Sequence, residues 1–181
     1  MSGPVKDVLL HTGEFYFGGG RLRLRTLLGS CVAITVWHPG LLIGGMCHYM
    51  LPAPVILDPA RMGPKGMYAS GAIELFLAEM RARATVPADY VVKMFGGGNM
   101  FPDHAMSSQC AEPCQTTTRI ACRNVPCKNV LTGRDLLGQH EFVVECEDIG
   151  GAGGRSILFE VWTGDVWVRR TGVATSGTQV P

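Results

Sequence analysis

Two residues in the stretch "LLGSCVAITVWHPGLLIGGMCHYMLP", from Leu27 to Pro52, have side chains that could do chemistry as a pair. A thiol becomes a strong nucleophile when it loses its proton, and an imidazole within hydrogen-bond reach can take that proton. Cys31 follows a Gly29-Ser30 corner and His48 follows a Gly44-Gly45 pair. Both therefore sit beside backbone that can turn sharply or approach a substrate closely. The amide of Cys31, just behind the corner, is also a candidate donor to an oxyanion. A plainer reading stays open on spacing alone: Cys31 as an apolar core residue and His48 as a polar side chain satisfied by its neighbours. Pairing requires that adjacent strands present both side chains on one face.

The surrounding pattern supplies such strands. Basic and apolar residues alternate in "RLRLRTLL" (Arg21 to Leu28) until Thr26, as on a half-exposed strand. "CVAITVW" is rich in β-branched residues and reads as a buried strand. His38-Pro39-Gly40 is turn chemistry, and "LLIGGMCHYML" returns as the second arm of a hairpin. Within it the Gly44-Gly45 pair predicts a bulge or a close backbone approach. Cys47, next to His48, is expected on the opposite face, as packing.

Further along, residues 52–65 carry four prolines and read as loop. "MYASGAIELFLAEMRAR" (Met67 to Arg83) places Ile73, Leu77 and Met80 at helical spacing with Phe76 beside them, the clearest amphipathic helix in the chain. "YVVKMF" predicts a strand ending at Gly96-Gly97-Gly98. A second helix is expected from Pro126 to about His140, despite Gly133. "EFVVECEDI" reads as a strand, Gly150 to Gly154 as a tight turn, and "SILFEV-WTGD-VWVRR" as a hairpin. The expectation is one α/β (layered α+β) domain over 1–170, with mixed β-sheets flanked by two main helices. A loop insertion is expected at 102–119, and a tail at 171–181 that is disordered for want of anything to bury.

Composition narrows the function. The chain has 181 residues, 46% hydrophobic, enough for one sizeable core. A net charge of +1 gives no electrostatic reason to expect a nucleic-acid or membrane-surface binder. The start "MSGPVKDVLL" lacks a basic region followed by a long apolar core, so no signal peptide and a cytoplasmic location are expected. There the seven cysteines should be mostly reduced.

Two signals compete with the Cys–His pair. Cys110, Cys114, Cys122 and Cys127, with Asp103 and His104 nearby, suggest zinc, but their spacing lacks paired C-x-x-C knuckles. An insertion with incidental thiols is the alternative. The glycine clusters lack the Lys-Ser/Thr of a phosphate-binding loop, and "GGAGGR" leads into a strand rather than a helix. Gly96–Gly98 and Gly150–Gly154 are read instead as turns at the rim of the site. Arg155 is either a guide for an acidic partner or a solvated side chain. The stripe Arg21, Arg23 and Arg25 reads as the wet face of a strand, and Trp37, Trp162 and Trp167 as packing.

"TLLGSCVAI", "GGMCHYMLP", "KMFGGGNMF", Arg123-Asn124 and "EDIGGAGGR" occur in this order and together resemble the CheD family of chemoreceptor glutamine deamidases, from about Arg21 to Arg170. The resemblance implies a cysteine hydrolase fold related to bacterial toxin deamidases. It implies Cys31 as nucleophile and His48 as general base and acid, converting receptor glutamine side chains to glutamate through a thioester, with no metal or cofactor. It also implies two partners, the cytoplasmic helices of methyl-accepting chemoreceptors and the phosphatase CheC. Ser30, Gly29, Gly97 and Asn99 become candidates for substrate binding.

The residue that orients His48 is less direct. The family commonly has threonine six positions before the cysteine, where this chain has Arg25, and Thr26 is five before. Along one strand an offset of five lies on the wrong face, unless a bulge at Gly29 restores it. Thr26 is the first candidate, with Thr35 or a backbone carbonyl as alternatives. Ala121-Cys122, where glycine and a polar residue are usual, departs from the family on a flank. The rival functions are a non-catalytic adaptor that binds receptors or CheC, and a receptor methylesterase using the same thioester chemistry.

Overall fold

The computed structural model describes residues 3–53, 63–100 and 124–171, and the backbone of 178–180. The insertion expected at 102–119, with Cys110, Cys114 and the nearby Cys122, lies outside the described residues.

Ten strands and two helices make up the described fold. The strands are β1 (Lys6–Leu9), β2 (Phe15–Gly19), β3 (Leu22–Leu28), β4 (Val32–His38), β5 (Ile43–Tyr49), β6 (Val91–Gly96), β7 (Val144–Ile149), β8 (Gly154–Glu160), β9 (Asp165–Thr171) and β10 (Thr178–Val180). Helix α1 (Ala69–Ala82) lies between β5 and β6, and α2 (Val125–Gln139) between β6 and β7. The strands form two mixed sheets, β1-β3-β8-β9-β10 and β2-β5-β4-β6-β7, here the first and second sheet. In each, one pair is parallel, β1 with β3 and β6 with β7.

The alternation in β3 now has a physical cause. Leu22, Leu24, Thr26 and Leu28 are buried while Arg25 and Leu27 are exposed, so one face meets the second sheet and the other meets water. β4 is buried on both faces. Val32, Ile34 and Val36 pack with Cys47, Tyr49, Ile73, Phe76 and Met80 beneath the helices. Ala33 packs with Met46, Phe95, Leu24 and Phe159 between the sheets. The molecule is thus layered as helices, second sheet, first sheet. Each fully buried large side chain such as Phe76 contributes about 2–3 kcal/mol by leaving water.

Both glycine expectations in β5 resolve to close approach. The register of β5 with β4 and with β2 runs without a break. A Cβ on Gly44 would lie 2.4 Å from the Val36 carbonyl oxygen, and one on Gly45 2.5 Å from that of Tyr16. No real Cβ fits such distances. Gly133 is explained in the same way: a Cβ there would meet the Tyr49 hydroxyl at 2.3 Å.

Both ends of the chain add strands to the sheets. The first twenty residues supply β1 and β2, short strands whose pairing partners lie outside the N-terminal segment. At the other end, Thr178–Val180 pairs antiparallel with β9 where a disordered tail is expected. Edge pairing satisfies backbone groups and needs no apolar side chains.

Candidate active site

The chain changes sheets at the Gly29-Ser30 corner, and this one feature assembles the site. β3 ends the inner face of the first sheet at Leu28, and β4 begins the second sheet at Val32. Thr26 therefore approaches from one sheet while Cys31 and His48 approach from the other. Face parity along a single strand does not apply across that corner, so the five-residue offset of Thr26 needs no bulge at Gly29.

His48 pairs in register with Ala33, two residues beyond Cys31. Cys31 packs against the cluster between the sheets that contains Ala33 and Met46. Cys31 and His48 are thereby diagonal neighbours on one face, a spacing that side chains can span. Cys47 points the other way, into the core beneath the helices, and is fully buried.

The imidazole is held from one side. His48 Nδ1 lies 2.7 Å from Thr26 Oγ1, and that hydroxyl donates to the Leu10 carbonyl at 2.8 Å. Thr26 has one proton and gives it to a group that can only accept. It must therefore accept from Nδ1–H, and the neutral ring keeps its lone pair on Nε2. The Leu10 carbonyl also interacts with the ring directly. Thr26 and a backbone carbonyl both bond the ring, while Thr35 pairs opposite Met46 on β4.

Burial lowers the His48 pKa below its usual 6.5, with the Leu10 carbonyl acting against that shift. Burial raises the Cys31 thiol, opposed by the neighbouring Thr12 hydroxyl. The same Thr12 hydroxyl lies 3.4 Å from His48 Nε2. For Cys47 burial is complete, and its pKa is pushed up to about 12.

Three groups of residues fix this geometry. The N-terminal segment crosses the end of β5: Gly13 N–H donates to the His48 carbonyl at 2.7 Å, and His48 N–H donates to that of Glu14 at 3.0 Å. From α2, the Asn129 amide donates to the carbonyls of Met50 (2.7 Å) and Ser30 (3.2 Å), tying the end of β5 to the corner before Cys31. From the turn after β6, the amides of Gly97 and Gly98 donate to the carbonyls of Cys31 and Gly29 at 2.8 and 3.0 Å. Gly97 has φ +63°, and a Cβ there would strike Val130. Its contribution is to hold the Cys31 backbone. Asn99 is half-buried and pairs through its backbone with Gly151 and Gly153.

Arg155 is neither solvated nor free to guide a partner. It is 2% exposed and bonds the Asp148 carboxylate and the Gly150 carbonyl, bracing the turn against which Asn99 pairs. Thr12 and Asn129 escape sequence reasoning. Thr12 sits in a segment without a clear pattern. The one signal for Asn129 is an amide among the apolar positions of a helix. Among the described residues no group of His, Cys, Asp and Glu is arranged to hold a metal ion.

The CheD family, described as CheD chemotactic sensory transduction, matches residues 50–170. That span begins after Cys31 and His48, so the match rests on the scaffold rather than on the reactive pair. Relatives extend the likeness. "Probable chemoreceptor glutamine deamidase CheD" of Pseudomonas savastanoi pv. phaseolicola is 42% identical over 91% of this chain and 85% of its own length. The protein of that name from Pseudomonas syringae pv. syringae is 43% identical over the same shares. "Probable chemoreceptor glutamine deamidase CheD 3" of Dechloromonas aromatica is 41% identical over 91% of this chain and 87% of its own. With the family match covering most of the chain and such identity sustained over nine-tenths of it, the chain belongs to the CheD family.

Proposed function

We propose that the protein is a chemoreceptor glutamine deamidase, a protein-glutamine glutaminase with Cys31 as nucleophile and His48 as general base and acid. The observation that carries this is the oriented imidazole. Thr26 and the Leu10 carbonyl require the proton on Nδ1, so Nε2 keeps the lone pair a base needs, on the face where Cys31 sits. The relatives' names carry the same activity.

In the reaction, the Cys31 thiol gives up its proton toward His48, and Sγ attacks the carboxamide carbon of a receptor glutamine. The Cys31 amide, held by the Gly97 bond to its own carbonyl, donates to the oxyanion. The tetrahedral adduct collapses as His48 returns the proton to nitrogen, the C–N bond breaks and ammonia leaves. Water, deprotonated by His48, then attacks the thioester and frees glutamate and the thiol. Gly29, Ser30 and Asn99 line the approach, and Gly97 acts by holding Cys31. The partners are receptor cytoplasmic helices as substrate and CheC as a docking protein, and the setting is the cytoplasm. Among the described residues no helix is long and apolar enough to cross a membrane.

Mass spectrometry of a receptor cytoplasmic fragment tests this. Each glutamine converted gains about one mass unit, and Cys31→Ala and His48→Ala should both abolish the gain. No conversion by the wild-type protein on several receptors, with receptor or CheC binding retained, would replace the enzyme with an adaptor. Release of methanol from methylated receptors without glutamine conversion would replace it with a methylesterase.

A further inference from the structure

The hydroxyl of Thr12 takes no part in the reaction as described above, yet it touches both reacting groups. It acts on the Cys31 side chain, favouring the thiolate, and lies 3.4 Å from His48 Nε2. Thr12 itself is exposed, on the turn between β1 and β2. That turn is fixed on both sides of it. Leu10 N–H donates to the Arg25 carbonyl at 2.7 Å, and Gly13 N–H to that of His48 at 2.7 Å. The His11 amide donates to the Glu14 carboxylate, also at 2.7 Å, closing the turn. The Thr12 hydroxyl is thus delivered by backbone bonds to the very strands that carry Thr26 and His48.

The direction of every proton in this row follows from one carbonyl. Leu10 O can only accept, so Thr26 donates to it and accepts from His48 Nδ1–H. Neutral His48 then offers a lone pair at Nε2, so Thr12 donates to Nε2 and is left to accept from the Cys31 thiol. The row reads thiol to Thr12 hydroxyl to imidazole to Thr26 hydroxyl to Leu10 carbonyl, and it has one consistent polarity.

On the reading of Cys31 and His48 as nucleophile and base, we infer that Thr12 is a catalytic proton relay between them. In the step, the S–H bond breaks as its proton bonds to Thr12 Oγ1, while the original Thr12 proton leaves Oγ1 for His48 Nε2. The products are a thiolate, an imidazolium and an unchanged threonine. The new hydroxyl proton points at the thiolate and stabilises it, as hydrogen bonds to charged groups do. A neighbour that merely filled space would leave the thiol with burial alone, which opposes ionisation.

The test needs no receptor, so it stands apart from the identity of the substrate. Iodoacetamide labelling of Cys31 in the full chain, read on the Cys31 peptide by mass spectrometry, gives the pH profile of its thiolate between about pH 5 and pH 9. Thr12→Val keeps the shape and removes the hydroxyl; Thr12→Ser keeps the hydroxyl. Labelling at neutral pH should fall roughly tenfold in Thr12→Val with its inflection moved up, and Thr12→Ser should follow the wild type. A Thr12→Val profile that overlays the wild type would overturn the relay. So would faster labelling in Thr12→Val, which would make the hydroxyl a shield over the thiol. In the deamidation assay the same variant should lower kcat and leave KM unchanged, because the relay serves the reacting atoms and not the docking of the substrate.

Discussion

Cys31, at the entrance to β4, and Cys47, in the neighbouring β5, face opposite ways, and their surroundings differ in kind. Cys47 lies beneath the helices among Ile34, Phe76 and Met94, with a thiol pushed up to about 12. Cys31 lies at the mouth of the seam between the sheets, half-buried, with a hydroxyl at its sulfur and an oriented imidazole beyond. The same residue type is inert packing on one face and a candidate nucleophile on the other. The difference comes from what the opposing layer contributes: helices bring apolar side chains, while the first sheet and the N-terminal turn bring hydroxyls and carbonyls.

The comparison breaks first if the two thiols respond alike. Cys31→Ala should cut deamidation by at least ~10³-fold with little change in thermal stability, since it removes the only bond-forming atom. Cys47→Ala should leave kcat nearly intact and cost about 1 kcal/mol of stability through a small core cavity. Thermal denaturation of both variants beside the receptor assay gives the two readouts. Equal loss of activity would mean the faces are not separate.

A smaller effect is expected at Thr26, the first sheet's contribution. Thr26→Val keeps the volume and removes the acceptor for Nδ1–H, yet the Leu10 carbonyl remains to take that proton. Activity should fall roughly 10- to 100-fold, well short of the ~10⁴ seen when a histidine is left in the wrong tautomer. Thr26→Ser should retain activity. A Thr26→Val enzyme with full kcat would assign the orientation to Leu10 alone.

Much of this was readable in advance, and what was not has identifiable causes. The hairpin that carries Cys31 and His48, both helices and the opposite facing of Cys47 follow from local patterns of apolar spacing and turn residues. Face parity misplaces Thr26 because the residues before and after Gly29 belong to different sheets. No local pattern announces that the chain leaves one sheet for another. Thr12 and Asn129 were invisible for a related reason. Each acts through partners far along the chain, Cys31 and His48 for the first and Met50 and Ser30 for the second. Arg155 reads as surface in sequence because a buried arginine needs partners that sequence does not reveal, here Asp148 and a turn carbonyl.

On the helix side the sharper test is Gly133→Ala. Alanine favours a helix over glycine by about 1 kcal/mol, but here its Cβ would meet the Tyr49 hydroxyl, which itself donates to the Asn129 carbonyl at 2.9 Å. Overpacking of about 1–3 kcal/mol should exceed the propensity gain, giving a modest net loss in urea unfolding. Stabilisation instead would show that Tyr49 yields readily and that the layer beneath α2 is loosely packed.

The smallest effect separates the faces by pH. Burial holds the His48 pKa below 6.5, so the unfolded chain binds a proton there that the native chain refuses. The stability this contributes is complete above about pH 6.5 and is lost as pH falls toward the lowered folded value. Cys47 behaves in the opposite sense: its contribution is complete below its ordinary 9.0 and is lost as pH rises toward about 12. Urea midpoints at about pH 7 and pH 5 should therefore fall more in the wild type than in His48→Gln, which cannot titrate. Midpoints at alkaline pH should fall more in the wild type than in Cys47→Ala. If His48→Gln and the wild type lose the same stability in acid, the ring accepts a proton in the native state as easily as in the unfolded one. The seam would then be wet enough that burial no longer distinguishes it, and Nε2 would be partly blocked by a proton near neutrality.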